Sequence, residues 1–465
     1  MNAIVFVFDS LRADHVSTYG HHRKTTPNID EVAADGVVFE NTFSQAIWTT
    51  PSSGSILTGC YPENHGRLAW GDRIADEAET IATPFQREDV HTCAISTMAT
   101  VSDQGGYDEG FDEFIDLSEV ESPTDPRAPE VVINRVVEWL EANADQDFFL
   151  FIWSSGTHTP YQTPSYDAFV DSQDQDLGSI LSLKEADANQ SQEVRDLYDN
   201  AIRYNDEHFG RMINTLQELG VYDETLLALL SDHGELFDEH ARLEHAEGIT
   251  GQLLETALPA GIRESRRLFT PQGWLGHQAV LPYDELLHVP MILKLPSQAH
   301  AGKRIDALAQ NIDLGPTIVD VLLDTEWKRS QGRSLLPTLE GQAVNKYVYS
   351  TSSVIGGNVR YHSVRDETHK YVRLTNTELS LQNLRRFPKR ALGSQLLRLV
   401  NGSEKLFEVQ TGEEENILGD DETVDTRFRE AFVNWHRTND TRSSISSQEI
   451  DEEAEDRLRE LGYLE

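Results

Sequence analysis

The stretch NAIVFVFDSLRAD, Asn2 to Asp14, decides the fold. Ala3 to Phe8 form an unbroken apolar run rich in valine, isoleucine and phenylalanine, and the run stops at the carboxylate of Asp9. Four more such runs follow, at Thr92 to Ser96, Phe148 to Trp153, Thr225 to Leu230 and Val289 to Leu295, with helical patterns between them. Short strands alternating with helices predict a mostly parallel sheet sandwiched by helices, an α/β fold. Between the third and fourth runs, Leu197, Ala201, Ile202, Phe209, Met212, Ile213, Leu216 and Leu219 recur at helical spacing, and Gly220 supplies a stop. An earlier helix is expected to open at Thr26-Pro27, a cap and a first-turn proline, and to end near Gly36.

The chain has 465 residues, enough for about two to four domains. It carries 79 acidic and 39 basic side chains, a formal charge of −40. That excess excludes a general nucleic-acid binder, which needs a positive footprint for the phosphate backbone. The apolar residues, 38% of the chain, come in compact runs, which excludes global disorder. An acidic excess spread through the whole sequence resembles the surfaces of proteins from salt-saturated cytoplasm, where counterions screen self-repulsion. Cys60 and Cys93 are too few for a disulfide scaffold and are expected to be buried small hydrophobes. Met1 to Phe8 run straight into a strand without a charged leader. No stretch approaches about 18 uninterrupted apolar residues, so a soluble, cytoplasmic protein without an integral membrane segment is expected.

Asp171 to Glu193 is acidic and reads as an exposed insertion, and a second insertion, about Ala241 to Gly276, carries Arg263, Arg266 and Arg267. After Gly341 the pattern changes to short β-like runs, Tyr347 to Ser350, Val359 to Val364 and His369 to Leu374, which predict a small antiparallel subdomain. Gly412 to Asp425 reads as a charged link, and Ile450 to Leu464 is a mostly acidic helix-like segment. The expected organisation is a catalytic α/β unit over residues 1–342, a small α+β unit over 343–415 and an acidic extension over 416–465.

In open α/β sheets ligands bind just beyond the carboxyl ends of the strands. Three strand ends carry polar clusters: Asp9-Ser10-Leu11-Arg12-Ala13-Asp14, Ser154-Ser155-Gly156-Thr157-His158 and Ser231-Asp232-His233-Gly234-Glu235. Asp9, Asp232 and His233 can turn toward one cation and give it an oxygen- and nitrogen-rich shell. A lone Asp after a strand more often caps a helix or turn; the joint occurrence at equivalent strand ends points to a metal. A fourth segment, Trp48 to Gly59, is rich in hydroxyls and has a proline suited to a helix start. Free N–H groups and the positive dipole end there can hold an oxyanion, and the plainer reading is a capped helix start.

At these residues the sequence resembles the sulfatase family of the alkaline phosphatase superfamily. The resemblance rests on Asn2 to Asp14, TPNIDEVAADG (Thr26 to Gly36), Thr49 to Gly59, YPENHG (Tyr61 to Gly66), GTHTPY (Gly156 to Tyr161), SDHGE (Ser231 to Glu235), His277 to Pro296 with its ELLHVPMILKLP, and RELGYL (Arg459 to Leu464). It implies a large sheet domain followed by a small C-terminal sheet domain. It also implies one catalytic divalent cation, calcium, manganese or zinc, held by Asp9, Asp232 and His233, with the hydroxyl of Thr49 against the metal at the nucleophile position. His158 falls on the histidine of a strand-end loop, and His277 on a distal residue near the anionic substrate or leaving group.

Two departures bear on the chemistry. Ser10 stands where many members have a second metal-binding Asp, and Ser53 where a family arginine is expected. More consequential is Thr49 itself. Resembling sulfatases use a cysteine or serine there, oxidised to a formylglycine, and threonine cannot yield that aldehyde because its β-carbon carries a methyl group. The expected function is a metal-dependent hydrolase of an anionic sulfate or phosphate ester, with phosphorus favoured over sulfur. Two alternatives stand beside it: transfer of a phosphoryl-linked group in building surface glycans or lipid head groups, and a non-catalytic anion-binding member. His65 is read as solvent-exposed or supporting, His208 and Asp206 as ordinary helix-surface residues, and Arg263, Arg266 and Arg267 as lid contacts or charge balance.

Overall fold

The computed structural model describes residues 1–69, 71–118, 129–159, 161, 163, 166, 168–170, 191–237, 239, 281–353, 360–376, 404–409 and 415–439. The strands of its first part are β1 (Asn2–Phe8), β2 (Val37–Phe39), β3 (Thr42–Phe43), β4 (His91–Ser96), β5 (Glu113–Asp116), β6 (Phe148–Ser154), β7 (Thr225–Ser231), β8 (Met291–Lys294), β9 (Lys303–Ile305) and β10 (Ala309–Gln310). Eight of them make one sheet in the order β5-β4-β6-β1-β7-β8-β2-β9, and β3 pairs with β10 apart from it. Neighbours in the large sheet are parallel except at β8, which runs antiparallel to β7 and β2. The last of the five apolar runs therefore departs from the parallel pattern. The short strands β2, β5 and β9, of three or four residues each, leave no periodicity to read in the sequence.

Helices α1 (Pro27–Ala34), α2 (Thr49–Thr58), α3 (Ala82–Arg87), α4 (Pro129–Asn143), α5 (Ser191–Glu218) and α6 (Leu314–Leu323) cover the sheet. Side chains alternate across a strand, so the wholly buried β1 feeds two cores. Ile4, Phe6 and Phe8 join Val32 of α1, Val136 of α4 and Phe209 of α5. Ala3, Val5 and Val7 join Ile56 of α2, Phe85 of α3 and Ile318 of α6. Each phenylalanine so buried stabilises the fold by roughly 1.5–3 kcal/mol.

Helix α5 realises the long apolar stripe and starts at Ser191, inside the stretch expected as an insertion; residues 171–190 lie outside the described residues. Helix α1 opens at Pro27, but Thr26 makes no side-chain cap bond. The cap comes from another helix: Asp206 of α5 accepts the backbone N–H of Asn28 at 3.0 Å and of Ile29 at 2.9 Å. Asp206 is thus fully buried rather than a helix-surface residue. Burial lifts its carboxyl to about 6, against the hydrogen bonds from Asn28 and Ile29 that favour the charged form. His208 rests edge-on against Tyr204 with ring centroids 4.7 Å apart.

A separate antiparallel sheet follows, β11 (Val348–Ser353), β12 (Arg360–Arg365), β13 (His369–Asn376) and β14 (Glu404–Glu408), in that order. One face, with Val348, Tyr361, Val372 and Phe407, packs on Phe43, Ile47, Trp48 and Leu287 of the large unit. The other face, with Val364, Tyr371 and Leu406, is covered by Phe428, Ala431 and Phe432 of α7 (Glu422–Asn439). This helix begins within the segment expected as a charged link and occupies a stretch expected as an acidic extension. Its charges conceal an apolar stripe at helical spacing, Phe428, Ala431, Phe432 and Trp435. Charged pairs tie the small sheet to the large unit: Glu63, on a short helix, and His362 lie 2.6 Å apart, and Asp284, on another, meets Lys370 at 2.9 Å as well as Arg365. Since Trp48 directly precedes Thr49, the small sheet buttresses the start of α2.

Among the described residues no helix is long and apolar enough to cross a membrane. Cys60 and Cys93 are buried free thiols, as the sequence led one to expect. Ile450 to Leu464 lies outside the described residues.

Candidate active site

The register of β1 assembles the site. Phe8 pairs with Ser154 on one side and Ser231 on the other, so the next residues, Asp9, Ser155 and Asp232, leave the sheet at one level. Asp9, Asp232 and His233 are fully buried, and their ligand atoms lie within 4.8 Å of one another. His233 Nε2 stands 3.2 Å from Asp232 Oδ2, 3.9 Å from Asp9 Oδ1 and 3.2 Å from the hydroxyl of Thr49. Its Nδ1 lies 2.8 Å from the carbonyl of Gly234. A carbonyl can only accept, so Nδ1 carries a proton, and Nε2 is the ring nitrogen that faces the carboxylates.

Asp232 Oδ1 accepts the N–H groups of Ser10 and His233, both at 2.9 Å. Its Oδ2 is buried and has no hydrogen bond. A buried carboxylate oxygen without a hydrogen bond is costly in a protein interior, and a divalent cation would relieve it. Two carboxylates and one imidazole are a fitting donor set for such an ion. Burial, and then the charge of Asp9, push the Asp232 carboxyl well above the usual carboxylate range. A dication between the two reverses that repulsion.

Thr49 opens α2, whose N-terminus has no side-chain cap from Trp48. Ser52 ties the helix to the end of β7 by donating to the Asp232 carbonyl at 2.6 Å. Of the two readings of His65, solvent-exposed or supporting, the structure bears out the second: it is fully buried. Its Nδ1 accepts the Arg67 N–H at 3.2 Å, which leaves Nε2–H to donate to the Pro51 carbonyl at 3.1 Å. Burial holds its pKa down at about 3, so the ring is neutral. The ring lies against Gly54, where a Cβ would come within 2.5 Å of it. His65 therefore fixes the helix that presents Thr49.

The loop after β6 reaches the same place, since Thr157 donates to the Asp9 carbonyl at 2.6 Å. His158 is buried in that loop, with Nδ1 2.5 Å from the Thr159 carbonyl. His277, Arg263, Arg266 and Arg267 lie outside the described residues.

The sulfatase family profile matches residues 1–325, and a profile described as N-sulphoglucosamine sulphohydrolase, C-terminal, matches residues 272–392. The chain belongs to the sulfatase family. It is a sulfatase-family ester hydrolase within the alkaline phosphatase superfamily. An arylsulfatase of Clostridium perfringens is 21% identical over 391 residues, covering 69% of this chain and 74% of that one. The low-salt glycan biosynthesis sulfotransferase of Haloferax volcanii is 23% identical over 321 residues, covering 69% of this chain and 60% of the relative. Among solved structures, the phosphonate monoester hydrolase of Agrobacterium radiobacter shares the fold with a TM-score of 0.67 at 17% identity, over 94% of this chain and 96% of that one.

In this sulfatase-family chain both departures, Ser10 and Ser53, are held in side-chain hydrogen bonds. Ser10 donates its hydroxyl to Asp9 Oδ1 at 2.9 Å. Ser53 lies 2.5 Å from the Tyr107 hydroxyl, and the Tyr107 ring carries the Arg67 guanidinium at 4.9 Å. The DSLRAD and SDHGE segments are bolted together by Arg12, which forks onto Asp14 at 2.9 and 2.7 Å and reaches the Glu235 carbonyl at 3.0 Å. Gly234 admits this approach, because a Cβ there would sit 2.0 Å from the Glu285 carbonyl oxygen.

Two supporting residues escaped the sequence reading. Trp153 donates its indole N–H to Asp9 Oδ2 at 2.9 Å. Tyr198 donates to the Ser10 carbonyl at 2.6 Å and accepts the Arg12 N–H at 2.9 Å. The available signals were a tryptophan closing an apolar strand and a tyrosine inside the apolar stripe of α5, where a buried hydroxyl needs a partner.

Proposed function

We propose that this chain hydrolyses a phosphate-type ester with Thr49 as nucleophile, its cation held by Asp9, Asp232 and His233. The observation that carries the reading is the hydroxyl of Thr49 standing 3.2 Å from His233 Nε2, beside the Asp232 oxygen that lacks a hydrogen bond. A bound divalent cation supplies positive charge against the nonbridging oxygens of the ester and lowers the pKa of an adjacent hydroxyl. The uncapped start of α2 offers backbone N–H groups to the same anion.

Thr49 releases its hydroxyl proton to bulk water as Oγ attacks phosphorus, and an Oγ–P bond forms as the ester P–O bond breaks. His158 or His277 protonates the leaving oxygen. Water then attacks phosphorus, the Oγ–P bond breaks, and Thr49 recovers a proton. The phosphorus preference follows from Thr49. A threonine ester cannot be cleared by the elimination open to a formylglycine hydrate, so water has to displace the covalent group at the central atom. Phosphorus accepts that displacement.

A second reading is transfer to an alcohol instead of water, and the resemblance to the Haloferax volcanii sulfotransferase favours it. Aryl sulfate, phosphate monoester, phosphodiester and phosphonate substrates, assayed in high salt with calcium, manganese and zinc, test the proposal. Turnover of a phosphorus ester that is lost in Thr49→Ala supports it. Turnover of sulfate esters alone, or a Thr49→Ala protein with full rate, overturns it. An acceptor-dependent product selects transfer.

A further inference from the structure

The segment after Arg12 carries three histidines, His15, His21 and His22, and two of them converge on Asp199 of α5. His15 Nδ1 lies 2.6 Å from Asp199 Oδ1, and His21 Nε2 lies 3.0 Å from Asp199 Oδ2. The two rings stack with centroids 4.8 Å apart. Ligand atoms of the three residues fall within 4.8 Å of one another. The side chains of His15, His21 and Asp199 are only 8%, 7% and 2% exposed.

Proton accounting distinguishes this cluster from an ordinary hydrogen-bonded one. His21 Nδ1 lies 3.0 Å from the Asp14 carbonyl, which can only accept. With its single proton on Nδ1, a neutral His21 aims the Nε2 lone pair at a carboxylate oxygen 3.0 Å away. Two acceptors at that distance repel unless the ring is an imidazolium or a cation lies between them. His233 shows the same arrangement in the active site, with one ring nitrogen on a backbone carbonyl and the other facing carboxylates. Anchoring the far nitrogen is how ligating histidines are oriented.

We propose that His15, His21 and Asp199 form a second, structural cation site for a zinc-class transition ion. Two imidazoles and one carboxylate select zinc, cobalt, nickel or copper over calcium and magnesium. Burial keeps the His15 pKa below the usual histidine range, so its ring is available as a neutral donor. Arg23 also contacts Asp199 Oδ2 at 2.9 Å and Asp196 at 2.7 Å, so the ion shares its carboxylate with a guanidinium. The ion staples the segment after Ser10 to α5, next to Tyr198, which holds the Ser10 carbonyl.

The test uses the full chain, stripped with a chelator in high salt and titrated with zinc or with cobalt as a spectroscopic probe. Asp232→Asn silences the active-site group and leaves this one. The parent is expected to bind two equivalents and Asp232→Asn one. Adding His21→Gln to Asp232→Asn is expected to weaken the remaining cobalt affinity about tenfold or more and to remove its visible d–d bands. Equal cobalt binding with and without His21→Gln overturns the site, as does an Asp232→Asn protein that binds no ion. Ring 15N shifts of the histidines need no substitution at this site. Zinc is expected to move His21 Nε2 to a metal-bound shift, and a His21 that stays imidazolium at neutral pH with and without zinc overturns the proposal.

Discussion

The hydroxyl of Thr49 and Nε2 of His233 stand 3.2 Å apart although 184 positions separate them in the chain. The Gly234 carbonyl holds the Nδ1 proton of His233, so the nitrogen beside the nucleophile is the one that would face the cation. Thr49→Ala is expected to lower kcat about 10³-fold or more, with metal content unchanged by elemental analysis. Thr49→Ser, which keeps the oxygen, is expected to retain most of the rate. A Thr49→Ala enzyme within about tenfold of the parent would show that another group forms the covalent bond.

Ser10 offers a gain-of-ligand test. Its backbone is left-handed, φ 61°, a conformation that Asp adopts more readily than most residues. Ser10→Asp adds a third carboxylate beside Asp9 and the already repelled Asp232. The metal-free variant is expected to lose about 1–3 kcal/mol of stability, and calcium, which favours oxygen-rich cages, is expected to restore it. Titration calorimetry should show calcium affinity rising relative to zinc. Unchanged calcium binding would place the Ser10 side chain outside the ion's reach.

The centre of the fold and the heart of the site were legible because they depend on local order in the chain. Three of the five apolar runs, Ala3 to Phe8, Phe148 to Trp153 and Thr225 to Leu230, end within five residues of a candidate site residue, and the register of β1 with β6 and β7 turns that adjacency into convergence. What escaped notice depends on partners remote in sequence. Asp206 looks like any polar residue of a long helix until α1 is set on it. Nothing near His65 announces that it will be sealed against Gly54. The stripe on α7 acquires meaning only once a sheet from the preceding segment lies beneath it.

The Glu63–His362 pair ties the small sheet to the large unit and sets a pH response. Burial pushes Glu63 upward, but the charge of His362, its hydrogen bond and Arg360 outweigh that and hold the carboxyl at about 2. A folded pKa below the unfolded value stabilises the fold above about pH 4.5, and that stabilisation is lost as the pH falls toward 2. The shift corresponds to about 3 kcal/mol. In chemical denaturation, the gap between the parent and Glu63→Gln should be widest near pH 5 and shrink on acidification. A gap that does not vary with pH would assign the pair no electrostatic role.

Gly54→Ala sets two effects against each other on the helix that carries Thr49. By propensity alone, alanine in a helix interior gains up to about 1 kcal/mol over glycine. Here the new methyl would stand 2.5 Å from His65 Cε1 and 2.7 Å from Nδ1. That ring is pinned by the Pro51 carbonyl and the Arg67 N–H, so it cannot swing away without breaking one of them. Overpacking of this kind costs about 1–3 kcal/mol, so the net effect should be destabilising. The strain falls on α2 and on the alignment of Thr49 with His233, so kcat should drop by about 10 to 100-fold. His65→Ala opens space for the methyl, so the double variant should be more stable than the sum of the single effects predicts. A Gly54→Ala protein that melts above the parent and keeps its kcat would show that His65 does not brace the nucleophile helix.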